Sequence, residues 1–165
     1  MPPLTYPDTL ILRILNETTT IAMAGASANW VRPSNFAMKY LQQKGFRVIP
    51  VNPGSAGDLI HGETTYARLA DIPDRFEMVD IFRNSDAAGA IVDEAIGIAP
   101  EKGIKFIWMQ LGVRNDEAAA RAEAAGLIVI MDRCPKIEFG RLHHELGWAG
   151  VNTGVISSKR PRLRL

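Results

Sequence analysis

A scarcity of cysteine and the absence of long apolar runs distinguish this sequence of 165 residues. The lone Cys134 cannot form a disulfide within the chain, and a single thiol is typical of a reducing compartment. The longest apolar runs, such as LIVIM, are far shorter than the ~20 residues of a membrane-spanning helix. The first residues, MPPLTYPDTL, lack the basic start and apolar run of a signal peptide. We therefore expect a cytoplasmic protein that makes no membrane contact.

An excess of charge of either sign is also absent. Lys and Arg number 19 against 18 Asp and Glu, for a formal net charge of +1. This balance leaves no global field for gripping nucleic acid. A hydrophobic share of 47% excludes a disordered chain, and the length suits about one domain. We expect one domain over residues 1–150 and a basic, solvated tail over residues 151–165.

Five short apolar runs alternate with patterns typical of helices. The runs cover residues 20–24, 47–51, 78–82, 104–110 and 127–131. Most are apolar on both faces, as in a parallel sheet that helices cover on two sides. The alternation predicts an α/β fold with a doubly wound, mainly parallel five-stranded sheet and helices on both faces. Because a central strand needs the N–H that Pro50 lacks, we expect the second strand to end at Ile49 or to bulge.

The expected helices have start and stop signals of their own. Proline suits a first helical turn, Asn, Asp and Ser cap helix starts, and Gly often follows helix ends. These signals are Pro33 and Gly45, then Ser85 or Asp86, then Asn115 and Gly126. Two shorter helices are expected over residues 9–16 and 138–146.

Ligands in such a sheet bind at the carboxyl ends of the strands, and the first such end reads AGASANWVRPS. The small residues Gly25, Ala26 and Ser27 let the backbone come close to a ligand. The helix opened by Pro33 directs free N–H groups towards the same place, and Arg32 adds a charged fork suited to phosphate. The functional interpretation is a phosphate site, and the structural one is a tight turn with a surface arginine.

The motifs of two nucleotide-binding classes are missing. Only Gly25 matches a position of GxGxxG, and the spacing of GxxxxGK[ST] does not occur. At the second strand end, Asn52 and Pro53 stand where NAD-binding folds place a carboxylate for the ribose. Asn52 cannot supply that charge, which counts against NAD, although the Asn-Pro-Gly segment also suits a plain turn.

The remaining strand ends carry four candidate residues. Phe82 can stack on a base but suits core packing better, and Arg83 suits either the crevice or a solvated loop. Gln110 ends an apolar strand, so its amide needs a partner from the backbone or a ligand. Cys134 is either a buried small hydrophobe or a thiol whose pKa is lowered by Arg133 and a following helix N-terminus.

No catalytic or metal-binding set of residues stands out. The three histidines lack the spacing of metal ligands, and no GxSxG segment occurs. We interpret Glu77 and Asp80 as caps or ion-pair partners rather than an acid–base pair. The prediction is therefore a binding module with no catalytic residue and no metal site.

Several segments together resemble a known family. They are GAS followed by RPS, then YLQQKGFRVIPVNP, DIFR, WMQLGV and AAGLIVIMDRC. The set resembles the stand-alone bacterial CoA-binding domains, which are similar to the N-terminal part of the succinyl-CoA synthetase alpha subunit. The resemblance covers residues 20–142 and implies a Rossmann-like, nucleotide-binding domain that holds coenzyme A across its strand ends.

The resemblance also implies which residues face the ligand. They are Gly25, Ala26, Ser27, Arg32 and Pro33 along the pyrophosphate, Asn52 and Pro53 at the adenosine half, Phe82 and Arg83 in the crevice, and Gln110, Gly112 and Cys134 towards the pantetheine arm. Independently of the resemblance, the inferred crevice collects Arg32, Arg83 and Arg133, which suits a ligand with several phosphate charges.

The expected function is binding of CoA or acyl-CoA in a regulatory or carrier role, without catalysis. One alternative is an NAD(P)-binding oxidoreductase or redox sensor. Another is the CoA-binding subunit of a split acyl-CoA ligase, because the chain has no room for the phosphohistidine and nucleotide-grasp domains of a complete one. A homo-oligomer or a ligase partner stays open, and no nucleic-acid or membrane partner is expected.

Overall fold

The computed structural model describes residues 2–144, so the expected tail lies outside the described part. The strands, in chain order, are β1 (Thr20–Ala24), β2 (Arg47–Val51), β3 (Leu59–Ile60), β4 (Glu63–Thr64), β5 (Met78–Ile81), β6 (Phe106–Met109) and β7 (Ile128–Ile130). Five of them form a parallel sheet in the order β2-β1-β5-β6-β7, and β3 and β4 form a separate antiparallel hairpin. The sheet strands match the five predicted runs, which extend slightly beyond β5, β6 and β7.

Helices cover both faces of this sheet. They are α1 (Asp8–Glu17), α2 (Pro33–Gln43), α3 (Ser85–Lys102), α4 (Asp116–Ala124) and α5 (Pro135–Leu142). Alternate strand residues such as Val79 and Ile107 pack with α3 and α4, and their neighbours Met78 and Trp108 pack with α1, α2 and α5. This alternation follows from the two-residue period of a strand. The predicted doubly wound α/β fold is confirmed. Within residues 2–144, no helix is long and apolar enough to cross a membrane.

The strand order reverses between β1 and β5. From β1 the chain passes through α2 to β2 at the sheet edge, and it later returns to β5 on the other side of β1. The chain leaves β1 for α2 on one face of the sheet and leaves β5 for α3 on the other face, so these two loops separate at the carboxyl ends of β1 and β5. A crevice at such a reversal is the usual ligand position in open α/β sheets.

Pro50 neither ends β2 nor forms a bulge, so both sequence-based alternatives were wrong. The Arg47 N–H donates to the Thr19 carbonyl (3.0 Å), and the Val51 carbonyl accepts from the Gly25 N–H (2.8 Å). The backbone of Pro50 therefore points away from β1, and its carbonyl accepts from Tyr66 on the outer side. Because β2 is the edge strand of the sheet, no sheet hydrogen bond is lost at Pro50.

The helix starts differ from prediction at two places. The cap of α3 is Asn84, whose Oδ1 accepts from the Ala87 N–H (2.8 Å), rather than Ser85 or Asp86. Helix α5 begins at Pro135 rather than at residue 138, because proline suits the first helical turn. Its predicted end at residue 146 lies outside the described part of the chain. The predicted cap at Asn115 is confirmed by its bond from the Ala118 N–H (3.0 Å).

Candidate functional site

Gly25 packs the loop after β1 against the end of β5. Its φ is +86°, and a Cβ at this position would lie 2.3 Å from the Phe82 carbonyl oxygen. Both the left-handed backbone and the lack of space demand glycine here. The close approach predicted for a ligand is thus made by the chain's own backbone, which brings the β1 and β5 ends together.

Two asparagine side chains hold the loop that follows Gly25. The Asn52 Nδ2 donates to the Ala26 carbonyl (2.9 Å), and its Oδ1 accepts from the Gly54 N–H (2.9 Å). The Asn35 Nδ2 donates to the Ser27 carbonyl (2.9 Å). Both ends of the Asn52 amide therefore hydrogen-bond to loop backbone and hold the loops in place. Asn35 was missed by the sequence analysis, and an amide side chain in the first turn of the predicted helix, close to the loop after β1, was the available signal.

Two clefts open at the carboxyl ends of the strands, one on each side of Arg83. The large cleft has a volume of about 770 Å³, and its lining includes Phe36, Phe82, Arg83, Gln110, Cys134 and Ile137. The small cleft has a volume of about 320 Å³, and its lining includes Gly25, Val51, Pro53, Arg68, Arg83 and Glu94. Arg83 lines both, so the clefts meet at the reversal of strand order.

The structure brings most of the sequence-predicted residues to these clefts. Those that line a cleft are Gly25, Pro33, Pro53, Phe82, Arg83, Gln110 and Cys134. Those that line neither cleft are Ala26, Ser27, Arg32, Asn52 and Gly112. Ala26 is buried, and Arg32 is an exposed residue at the start of α2. The Gly112 N–H donates to Asp132 Oδ1 (2.7 Å), which holds the loop after β6.

The arginines predicted to serve phosphates have different environments. Arg83 is exposed, and its guanidinium has no hydrogen bond or ion pair to the described residues. Arg133 instead donates to the carbonyls of Leu4 (2.9 Å) and Asp132 (2.8 Å) and lies over the Tyr6 ring. The expectation that Arg133 joins the crevice was therefore wrong, because the N-terminal segment engages its side chain. The contact between Arg133 and Leu4 joins residues about 130 positions apart, so no local sequence pattern predicts it.

Gln110 finds its partner in a buried carboxyl group on the neighbouring strand. Its Nε2 donates to both oxygens of Asp80, at 2.9 and 3.1 Å. Burial raises the pKa of Asp80 to about 7, and the bond from Gln110 offsets part of that rise. Asp80 is thus neither a cap nor an ion-pair partner, whereas Glu77 does accept from the N–H groups of Thr19 and Thr20 at the start of β1.

The Oε1 atom of Gln110 is available to a ligand in the large cleft. Gln110 is 4% exposed and lines the large cleft. Its Oε1 has no hydrogen-bond partner within residues 2–144. With Nε2 held by Asp80, the side chain presents an acceptor to whatever occupies the cleft.

Cys134 is a less reactive thiol than its sequence neighbours indicated. Burial raises the pKa of the thiol, and the charge of Asp80 adds to the rise. The N–H groups of Ile137 and Lys136 at the start of α5 act in the opposite direction but do not outweigh burial. Of the two alternatives that the sequence left open, the lowered pKa is therefore wrong, and the largely buried thiol is closer to the structure. Arg133 contributes little because it points towards Leu4.

Known proteins are similar to this chain in sequence and in fold. The model of a family described as "CoA binding domain" matches residues 19–140. The uncharacterized protein YneT of Bacillus subtilis (strain 168) is 32% identical over 127 residues, which are 77% of this chain and 90% of that protein. A hypothetical protein from Pyrococcus horikoshii OT3 is 36% identical with a TM-score of 0.76, covering 87% of this chain and 99% of that one.

Two further solved structures are similar to this chain. The PH1109 protein redesigned for binding is 37% identical with a TM-score of 0.78, covering 86% of this chain and 96% of that one. The dinucleotide-forming acetyl-coenzyme A synthetase 1 of Ca. Korarchaeum cryptofilum is 24% identical with a TM-score of 0.55. The match covers 69% of this chain and 26% of the synthetase, and it shows a shared fold.

Proposed function

The chain belongs to the CoA binding domain family, and on this premise we propose that it binds coenzyme A or an acyl-CoA across the two clefts without itself catalysing a reaction. The observation that carries the proposal is the pair of clefts that meet at Arg83. Coenzyme A is an elongated ligand with an adenosine half, phosphates in the middle and a pantetheine arm. A charged group between two clefts is an arrangement that suits such a ligand.

The lining of each cleft supports an orientation for the ligand. The small cleft, beside Gly25 and Pro53, would hold the adenosine half. Arg83 would contact the phosphates, since its guanidinium has no partner within residues 2–144 and suits phosphate oxygens. The pantetheine arm would then enter the large cleft, where the free Oε1 of Gln110 can accept from one of its amide N–H groups.

The end of β2 supports coenzyme A over NAD. NAD-binding folds place a carboxylate at this position to hold the ribose hydroxyls. Here the residue is Asn52, and its amide is engaged by Ala26 and Gly54. The alternative of an NAD(P)-linked oxidoreductase or redox sensor is therefore less favoured.

Cys134 supports a carrier or regulatory role rather than thioester chemistry. Its thiol lines the large cleft, where the acyl end of the ligand would lie. Because burial raises the pKa of this thiol, little thiolate is present at neutral pH to attack a thioester. We expect the isolated chain not to turn over acyl-CoA.

Calorimetric titration with CoA and with NAD tests the proposal. We expect CoA to bind more tightly than NAD, and Arg83→Gln to weaken CoA binding about tenfold or more, since a charge-assisted contact contributes roughly 1.5–3 kcal/mol. The matched control is Arg13→Gln, which changes an exposed arginine paired with Glu17 on α1. Equal or tighter binding of NAD, or an unchanged CoA affinity in Arg83→Gln, contradicts the proposal.

A further inference from the structure

Exposed apolar side chains are concentrated around the large cleft. Within residues 2–144, six large hydrophobic residues are exposed, and four of them line this cleft. The four are Val31 (55%), Phe36 (50%), Leu111 (56%) and Ile137 (43%). Single exposed hydrophobics are ordinary on protein surfaces, whereas a contiguous group marks a binding surface.

These four side chains come from separate parts of the chain. Val31 lies in the loop after β1 and Phe36 on α2, whereas Leu111 follows β6 and Ile137 lies on α5. They meet because the carboxyl ends of parallel strands share one edge of the sheet. We call them the apolar rim. No short motif in the sequence could have brought them together.

Two polar side chains complete the lining of the same cleft. Gln110 is almost fully buried and its Oε1 has no partner among the described residues, and Arg83 lies at the junction with the small cleft. The cleft therefore offers a charged group, a hydrogen-bond acceptor and an apolar rim. An acyl-CoA carries the matching groups, since its phosphates are followed by the pantetheine amides and then by the acyl chain.

The volumes indicate that the pantetheine arm does not fill the large cleft. The large cleft has about 770 Å³ and the small cleft about 320 Å³. The pantetheine arm and the adenosine half of CoA are nevertheless of similar size. If the small cleft has room for adenosine, the large cleft has room for pantetheine and a further group, and its rim suits an apolar one.

We propose that the large cleft binds the acyl group of an acyl-CoA, with an aliphatic chain lying against the apolar rim formed by Val31, Phe36, Leu111 and Ile137. The inference rests on the proposed function, because the CoA moiety anchors the chain. Its ligand class is a medium-chain aliphatic thioester rather than free CoA. Each methylene that leaves water for the rim tightens binding about fourfold.

Calorimetric titration with CoA, acetyl-CoA, butanoyl-CoA, hexanoyl-CoA and octanoyl-CoA tests the inference. We expect the dissociation constant to fall with chain length and to level off when the chain reaches the open mouth of the cleft. The measured quantity is the ratio of CoA to octanoyl-CoA dissociation constants. In Leu111→Gln and Ile137→Gln this ratio should fall by about fourfold or more.

The chain offers a matched control in Leu59→Gln. Leu59 is 69% exposed on β3 and lines neither cleft, so its substitution should leave the ratio at the wild-type value. Arg83→Gln should weaken CoA and octanoyl-CoA alike, which shows that the thioester enters through the same site. Octanoyl-CoA binding that is insensitive to Arg83→Gln means adsorption elsewhere and overturns the inference.

The remaining outcomes separate the inference from the proposed function. If CoA binds but all chain lengths bind equally, the acyl site is wrong and CoA binding stands. If neither CoA nor any thioester binds, the proposed function fails as well. A second copy of the chain is the other candidate occupant of the rim. The wild-type protein could be a dimer that Leu111→Gln and Ile137→Gln convert to a monomer, while the dissociation constants do not depend on acyl length. That result would show that the rim is a dimer interface and not an acyl site.

Discussion

The two clefts that meet at Arg83 are built in different ways. The small cleft is shaped by backbone, because Gly25 packs directly on the Phe82 carbonyl and Asn52 ties the adjoining loops together. The large cleft is shaped by side chains, with an apolar rim whose members are about half exposed. The two halves of one site therefore tolerate substitution differently.

The reason lies in how each wall is supported. The backbone that forms the small cleft cannot move without disturbing β1 and β5. Side chains of these strands belong to the hydrophobic core on both faces of the sheet. A rim of exposed side chains can change its chemistry while the strands below stay in place. The small cleft is thus suited to an invariant part of a ligand, and the large cleft to a part that varies.

The largest expected effect follows from changing the backbone wall with Gly25→Ala. The new Cβ would meet the Phe82 carbonyl at 2.3 Å, and alanine disfavours a φ of +86°. We expect the free energy of unfolding to fall by about 3 kcal/mol, measured by denaturant titration. CoA binding should be lost together with the loop geometry.

Gly57→Ala is the control for this substitution. Gly57 has a similar φ of +91°, but a Cβ there meets nothing within 4 Å. It should lower the unfolding free energy by only about 1 kcal/mol, because the backbone strain acts alone. Equal losses in the two variants would mean that the close packing of β1 and β5 is not what constrains the small cleft.

A second prediction concerns the buried carboxyl group beneath the large cleft. The pKa of Asp80 is raised from 3.8 to about 7 in the folded protein, so the folded state retains a proton that the unfolded state has lost between these values. This contribution to stability is present below pH 3.8 and is lost as the pH rises to about 7. We expect it to amount to on the order of 4 kcal/mol across the whole window.

Asp80→Asn should remove this dependence, because an asparagine can still pair with the Gln110 amide but does not titrate. The measurement is the unfolding free energy of both proteins at pH 5 and pH 8. Asp58→Asn, at an exposed position, should keep the wild-type dependence. A wild-type stability that does not decline over this range relative to Asp80→Asn contradicts the buried environment of the carboxyl group.

The smallest expected effect is on the reactivity of Cys134. Because burial and the charge of Asp80 raise the pKa of the thiol, alkylation by iodoacetamide at pH 7 should be slower than that of an exposed cysteine in an unstructured peptide. Asp80→Asn should speed the reaction modestly by removing one cause of the rise. Intact-protein mass spectrometry over time measures both rates. Alkylation as fast as in the peptide would show an accessible thiolate instead.

The part of the candidate site that lies at strand ends could be predicted from sequence. Gly25 and Arg83 directly follow apolar runs and Phe82 ends one, so their place follows from the doubly wound pattern. The partner of Gln110 could not be predicted in this way. Asp80 lies 30 residues earlier, and it meets Gln110 because β5 and β6 are neighbours in the sheet.

The sequence by itself determined the elements of this protein, namely five buried strands, the helices between them and the glycine at the reversal of strand order. Apolar periodicity, caps and turn residues act over a few neighbouring positions, and for that reason they can be interpreted locally. Only the tertiary structure decided that β2 is an edge strand that tolerates Pro50. It also decided that Arg133 binds the Leu4 carbonyl, whereas Arg83 has no partner in the described part of the chain. It also decided that four distant apolar residues share one rim, because strand order and helix packing bring together side chains that no local pattern relates.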